Sequence, residues 1–187
     1  MNSGQSVLTI GAFVVLSTMT LNVNTMLTGT GTTGLEMEAT LDGISIAQSM
    51  LDELLSKEFD QHTVGGVRAY SPDDLTLTSA FGPEGTAQAI TGLDSSSTSV
   101  FQSKTKFDDV DDYNGYVRKV WNPRFGWFDV SVGVDYANED NPNATQTSRS
   151  FYKRVSVRVI HPNLVKDVNN NVIPLVVQDL AVYRRYF

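Results

Sequence analysis

Hydrophobic and polar positions divide the chain into stretches of different period. From Val7 to Leu21 the sequence VLTIGAFVVLSTMTL is apolar on every side, with Gly, Ser and Thr interspersed, and NVNTML extends it to Leu27. A helix that is hydrophobic all round has to be buried in protein or lipid. At 1.5 Å per residue the first run spans roughly 22 Å, and the extension brings it to the ~20 residues that cross a bilayer. Thr28 to Gly34, TGTGTTG, is a different material. Each glycine weakens a helix by about 1 kcal/mol relative to Ala and the threonines are β-branched, so an unwound joint is expected around Gly29, Gly31 and Gly34. Helical periodicity resumes from Leu35 to Phe59. Met37, Leu41, Ile44, Ala47, Leu51, Leu54 and Leu55 are expected on one face, and Glu36, Asp42, Gln48, Asp52 and Glu53 elsewhere. The whole reads as one long element, Gln5 to Asp60, with a joint in the middle.

From Gln61 to Lys106 the chain is polar and rich in Ser, Thr and Gly, with short strand candidates at Leu75 to Ser79 and Ala87 to Thr91 and a surface loop at Leu93 to Ser99. The last third carries a clear period of two. Phe128, Val130, Val132, Val134 and Tyr136 alternate with Asp129, Ser131, Gly133 and Asp135; Val155, Val157 and Val159 alternate with Arg154, Ser156 and Arg158. The polar connection ANEDNPNATQTSR makes these a long-looped hairpin. Leu175 to Phe187 is a third strand, reached through a turn at Asn169 to Asn171. The expectation is an α+β fold in which an antiparallel sheet with one apolar face packs on the amphipathic helix. Residues 1-34 form an apolar helix and joint; residues 35-187 form a head, made of helix 35-60, polar region 61-106 and sheet 107-187.

Composition narrows the function classes. The chain has 187 residues, 41% of them hydrophobic, enough for one core, and no cysteine, which removes disulfides, zinc ribbons and thiol chemistry. The net charge of -7 argues against nucleic-acid binding, which needs clustered Lys and Arg. Position says more than total: no charged side chain lies between Met1 and Leu35, residues 36-112 carry 15 acids against 4 bases, and residues 113-187 carry 6 acids against 10 bases. A cleaved secretory signal carries Lys or Arg ahead of its apolar run, whereas MNSGQS has neither, so the segment is expected to be retained as structure.

An uncharged apolar N-terminal helix, an amphipathic continuation, a polar loop region and a C-terminal antiparallel sheet follow the order of elements in type IV pilins and the pseudopilins of type II secretion. FDDVDDYNGY, Phe107 to Tyr116, resembles the Asp-rich motif of minor pilin-like proteins, including those of mannose-sensitive haemagglutinin pili, as do the strands at WFDVSVGVDY and YKRVSVRV. Where the family places a glutamate near the start of its mature helix, Gln5 stands here, able to hydrogen-bond but uncharged. The resemblance implies an extracellular filament at the cell surface. Its subunits would insert into the inner membrane before an assembly machinery there polymerises them with copies of themselves. The polymer core would comprise Gln5, Val7, Leu8, Ile10, Phe13, Val14, Val15, Leu16, Met19, Leu21, Val23, Met26 and Leu27. The alternative is a membrane-anchored accessory envelope protein, pseudopilin-like, that forms no long filament.

The charge asymmetry adds an expectation about neighbouring subunits: acids near the helix end, Asp52, Glu53, Glu58 and Asp60, with Asp108, Asp109, Asp111 and Asp112, would face Arg154, Arg158, Arg184 and Arg185. Phe107 to Tyr116 also invites a calcium reading, since hard cations want clustered carboxylates. The EF-hand spacing fails, because with Gly115 as the turn glycine the first ligand position is Val110. An Asp/Asn-Gly turn capping the sheet is the favoured reading. His62 and His161 have no nucleophile motif around them, and no GxSxG, HExxH, P-loop or dinucleotide fingerprint is present. The chain is therefore expected to be no enzyme, with no cofactor and no metal. Asn143-Ala144-Thr145 is a glycosylation sequon on an exposed loop.

Overall fold

The computed structural model describes residues 3-95 and 100-184, and contacts divide the chain into two units, Met1–Glu38 and Ala39–Phe187. The fold is α+β. Its first element, α1 (Ser3–Leu55), is one uninterrupted helix. The unwinding expected at Gly29, Gly31 and Gly34 is absent, for a reason visible in the side chains. Thr30 Oγ1 donates to the Met26 carbonyl at 2.8 Å, and Thr32 and Thr33 both donate to Gly29 O, so the threonines satisfy their hydroxyls within the helix. No proline removes a ladder bond, and glycine weakens a helix without forbidding it.

In the second unit, α1 from Ala39 onward lays a stripe that begins with small residues, Ala39, Gly43 and Ala47, and continues with Met50, Leu51 and Leu54, on the sheet. A Cβ on Gly43 would sit 3.2 Å from Leu175 Cδ2 and 3.8 Å from Val159 Cγ1, so a glycine is what allows this close approach. The expected face is thus rotated. Ala47, Leu51 and Leu54 are buried as expected, but Met37 and Leu41 are exposed and Leu55 is half in water. Close helix–sheet contact selected small residues where the period of the bulky ones pointed elsewhere.

The remaining elements are α2 (Gly85–Gln88), β1 (Asp94–Ser95), α3 (Ser103–Lys106), β2 (Val117–Asn122), β3 (Gly126–Ala137), β4 (Thr145–Gln146), β5 (Tyr152–Ile160) and β6 (Leu175–Val182). The sheet order is β1-β2-β3-β5-β6, with β4 also on β3. The long pairs are antiparallel, as the alternation predicts, and Val132 faces Val157 across β3 and β5. The sheet is mixed rather than purely antiparallel, because the two-residue β1 runs parallel to β2. Phe128, Val130, Val132, Val134 and Tyr136 alternate inward with Val155, Val157 and Val159 to meet the helix. The strand candidates of the polar region are not strands. Ser71 caps a 3-10 turn at Pro72–Asp74, a second covers Thr78–Ala80, and Gly85–Gln88 is helical, since Pro72, Pro83 and the left-handed Gly82 and Gly85 break extension. Ser96 to Ser99 of the expected loop, and Arg185, lie outside the described residues.

Candidate functional site

Two features stand apart from ordinary packing, one in each unit. In the first unit, the expected polymer core is all on the surface of α1. Val7, Leu8, Ile10, Phe13, Val14, Val15, Leu16, Met19, Leu21, Val23, Met26 and Leu27 are each 49% to 76% exposed, and Gln5 is exposed beside them. The interspersed threonines do not interrupt this surface with unmet polarity: Thr9, Thr20 and Thr25 each donate to a carbonyl one turn back, at 2.8 to 2.9 Å. By length and composition the helix can cross a membrane.

In the second unit, the chain leaving α1 pairs with the Asp-rich motif. Glu58 N–H donates to Asp108 O and Val110 N–H to Glu58 O, a short parallel bridge that fixes 108-112 against the helix end. Within the motif Asp109 and Asp112 each spend one oxygen on the backbone. Asp109 Oδ1 accepts from the N–H groups of Asp111 and Asp112 at 2.6 and 3.2 Å, and Asp112 Oδ2 accepts from those of Asp108 and Asp109 at 2.9 and 3.4 Å. Gly115, at φ 76°, then turns the chain into β2, so the motif does lead a turn into the sheet as expected.

The other oxygens make the unusual feature. Asp109 and Asp112 are 0% exposed, and Asp109 Oδ2, Asp112 Oδ1 and Glu84 Oε2 accept no hydrogen bond among the described residues. One carboxylate oxygen from each of Glu84, Asp108, Asp109 and Asp112 lies within 4.8 Å of the others. Gln88 braces the pocket from α2, its Oε1 accepting from Glu84 N–H and its Nε2 donating to Asp108 Oδ1 at 2.9 Å. Burial, with the charge of Asp112 adding to it, pushes the Asp109 carboxyl up to about 7. Burial and the neighbouring Glu84 push Asp112 to about 7, and burial and Asp109 raise Glu84.

A second buried cluster is internally paired. Lys153 Nζ donates to Asp60 Oδ2 at 2.7 Å, to Phe59 O at 2.8 Å and to Asp111 Oδ1, all fully buried. One ammonium does not neutralise two carboxylates. Burial raises Asp60, but Lys153, the His62 N–H and Thr76 outweigh it and hold Asp60 down at about 2, whereas burial prevails at Asp111 and lifts it to about 8. Glu53, expected to face a neighbour, is instead buried against Arg118 at 2.7 Å and accepts from Ser103 and Tyr113, so in this fold it is an internal tie. Asp60, Asp109, Asp111 and Asp112 are likewise internal, while Asp52, Glu58, Asp108, Arg158 and Arg184 are exposed and Arg154 lies within 3.7 Å of Asp135.

Sequence reasoning missed Lys153, Arg118 and Glu84. The first two carried a signal: Lys153 is in phase with inward Val155 and Val157, and Arg118 is two residues from Val120 on the inward side of β2. Glu84 had none, being far from the motif in sequence. The histidines do structural work. His161 is buried, stacked on Phe128 at 4.3 Å with Nε2 on Phe125 O, and exposed His62 bonds to Thr76 Oγ1. No protein-family model matches the chain, and comparison with curated proteins and with solved structures gives no match either.

Proposed function

We propose that the chain is a structural subunit of an extracellular filament of the type IV pilin kind, polymerised through residues 1-34, with the α+β head as the outer wall. The observation that carries this reading is the uncharged first part of α1, up to Leu35, whose large apolar side chains are all exposed. An exposed apolar surface of this extent marks an interaction site with lipid or protein. Packing it against copies of itself in a helical array hides it without limit of number, because such contacts are heterologous and need not close. Lipid would hold the same surface before assembly, which fits a subunit that waits in the inner membrane for its assembly machinery. The second reading, an accessory protein that stays anchored in the envelope, is favoured by the same helix being long enough to cross a membrane.

Electron microscopy of sheared cell-surface material separates the two: ordered fibres containing the chain support the filament, and retention of all the chain in the membrane fraction supports the anchor. Val15→Asp tests the role of the helix directly. A charge in a dry bundle costs several kcal/mol, about 3 or more, so filaments are expected to vanish while the head stays folded. Normal fibres from this variant would exclude the helix as the polymer core.

A further inference from the structure

We propose that Glu84, Asp108, Asp109 and Asp112 form a binding site for one divalent hard cation, with calcium the preferred ion. The site lies wholly within the head and does not depend on the filament reading. Four acidic residues near one another are not enough, since such clusters commonly sit in water. What distinguishes these is the fully buried pair Asp109 and Asp112, each with one oxygen spent on backbone N–H groups and the other unpartnered among the described residues. The unpartnered Glu84 Oε2 joins them, and an oxygen from each of the four residues lies within 4.8 Å of the rest. A buried acceptor without a donor carries its full desolvation penalty, and several carboxylates facing one another add repulsion. A divalent cation removes both penalties in a single step.

The ligand chemistry selects the ion. All four donors are carboxylate oxygens, with no imidazole or thiolate among them, which disfavours zinc and copper and suits calcium, magnesium or manganese. Magnesium holds most of its water and usually takes one or two carboxylates, whereas calcium accepts 6–8 oxygens in flexible geometry. A pocket converging four carboxylates, two of them without solvent exposure, fits calcium. The backbone hydrogen bonds supply the order around the ligands: the Asx-type turn at Asp109, the bonds from the Asp108 and Asp109 N–H groups to Asp112 Oδ2, and the Gln88 brace position the carboxylates before any ion arrives. The ligands come from two segments, 84 and 108-112, so the ion would pin α2 to the loop that leads into β2.

The test uses the full chain in mild detergent, freed of metal by a chelator at pH 7.5. Calcium chloride is then titrated by calorimetry and by thermal unfolding. One saturable equivalent per chain is expected, with a rise in melting temperature of about 5 °C or more at saturation, and a much smaller response to magnesium. Asp112→Asn should melt at or above the metal-free wild type, because its amide can donate to Glu84 where two carboxylates only repel, yet lose the response to calcium. Glu84→Gln, at a partly exposed position, provides the second variant should Asp112→Asn fail to fold, and should weaken calcium binding at least about tenfold. Absence of a saturable calcium response in the wild type overturns the site. So does a full response in either folded variant, and equal binding of magnesium overturns the choice of calcium.

Discussion

Residues 3-35 and the head solve opposite problems with the same twenty side chains. The apolar segment puts its hydrophobic residues outside and has no charge anywhere, while the head puts ionisable groups inside: Lys153, Asp60, Asp111, Arg118, Asp109 and Asp112 are all buried. A charge is tolerated in a low-dielectric interior only when its partners are fixed by the fold. In the head, strands and turns fix them. A lone helix offers no such scaffold, so its surface must do without charge if it is to enter lipid or a dry bundle. The contrast also separates the two kinds of specificity. The head encodes one internal arrangement, and the segment encodes an outward surface whose partner lies outside the chain.

The sharpest way to break the head's side of this contrast is to remove one member of a paired buried set. Lys153→Met leaves the Asp60 carboxylate buried without its counter-charge, and the expected loss is about 3–5 kcal/mol in urea unfolding followed by Trp121 and Trp127 fluorescence. Adding Asp60→Asn should restore part of that loss, because the two changes act on one interaction. If Lys153→Met alone is neutral, the buried network is not what holds β5 to the end of α1.

Packing at the helix–sheet contact comes next in size. Gly43→Leu forces a side chain into the space of Leu175 and Val159, an overpacking expected to cost about 1–3 kcal/mol in the same unfolding measurement. Gly29→Leu, with nothing within 4 Å of its Cβ position, should leave the head's unfolding unchanged. Equal effects at the two glycines would erase the distinction between a packed and an outward helix surface.

Acid gives a third comparison. Asp60 is held near 2 in the fold against an ordinary value of 3.8, so its charged form is stabilised by folding. A depressed carboxylate contributes stability that is fully present above pH 3.8 and is lost as pH falls through about 2. The shift corresponds to about 2 kcal/mol. Unfolding free energy compared between pH 5 and pH 2 should therefore fall more steeply in the wild type than in Asp60→Asn, and parallel curves would show that Asp60 is not the group responsible.

Much of the head was legible because period two is a strong local signal: β3 and β5 stand where the alternation of Phe128 to Tyr136 and Val155 to Val159 puts them, and β6 begins at Leu175 as expected of the third strand. The helix ran past its expected joint, since propensity at Gly29, Gly31 and Gly34 is a small local effect and threonine hydroxyls found carbonyls one turn back. The candidate cation site was legible only in half. The Asp-rich motif was visible, but a contiguous-loop template rejects it, because Glu84 arrives from another segment and the ligands do not share one spacing. Which acids are inside was the least legible property. Glu53 sits beside exposed Asp52, and only the approach of Arg118 from β2 tells them apart.

The smallest expected effect on the head concerns the exposed charges that remain after the buried ones are set aside, and it tests whether the segment's partner is another copy of the chain. Arg154 sits 3.7 Å from Asp135 and donates to Asn143 O, and Arg158 is exposed on β5 opposite Ser131. Exposed pairs of this kind are worth about 0–1 kcal/mol, so reversing both arginines to Glu should shift head unfolding by no more than about 1 kcal/mol. In a filament the same two charges recur at every subunit, where complementary charge also fixes register between neighbours. Of the acids expected to face them, Asp52 and Glu58 are exposed and left to do so, since Glu53 and Asp60 are engaged internally and Asp108 belongs to the proposed cation site. Fibres of the double variant are therefore expected to be shorter after shear than wild type at low salt. The difference should narrow at high salt, because screening removes the attraction in one and the repulsion in the other while the apolar core is untouched. Equal fibre lengths at low salt would assign these arginines to the solvated surface and leave the apolar helix alone to hold the polymer.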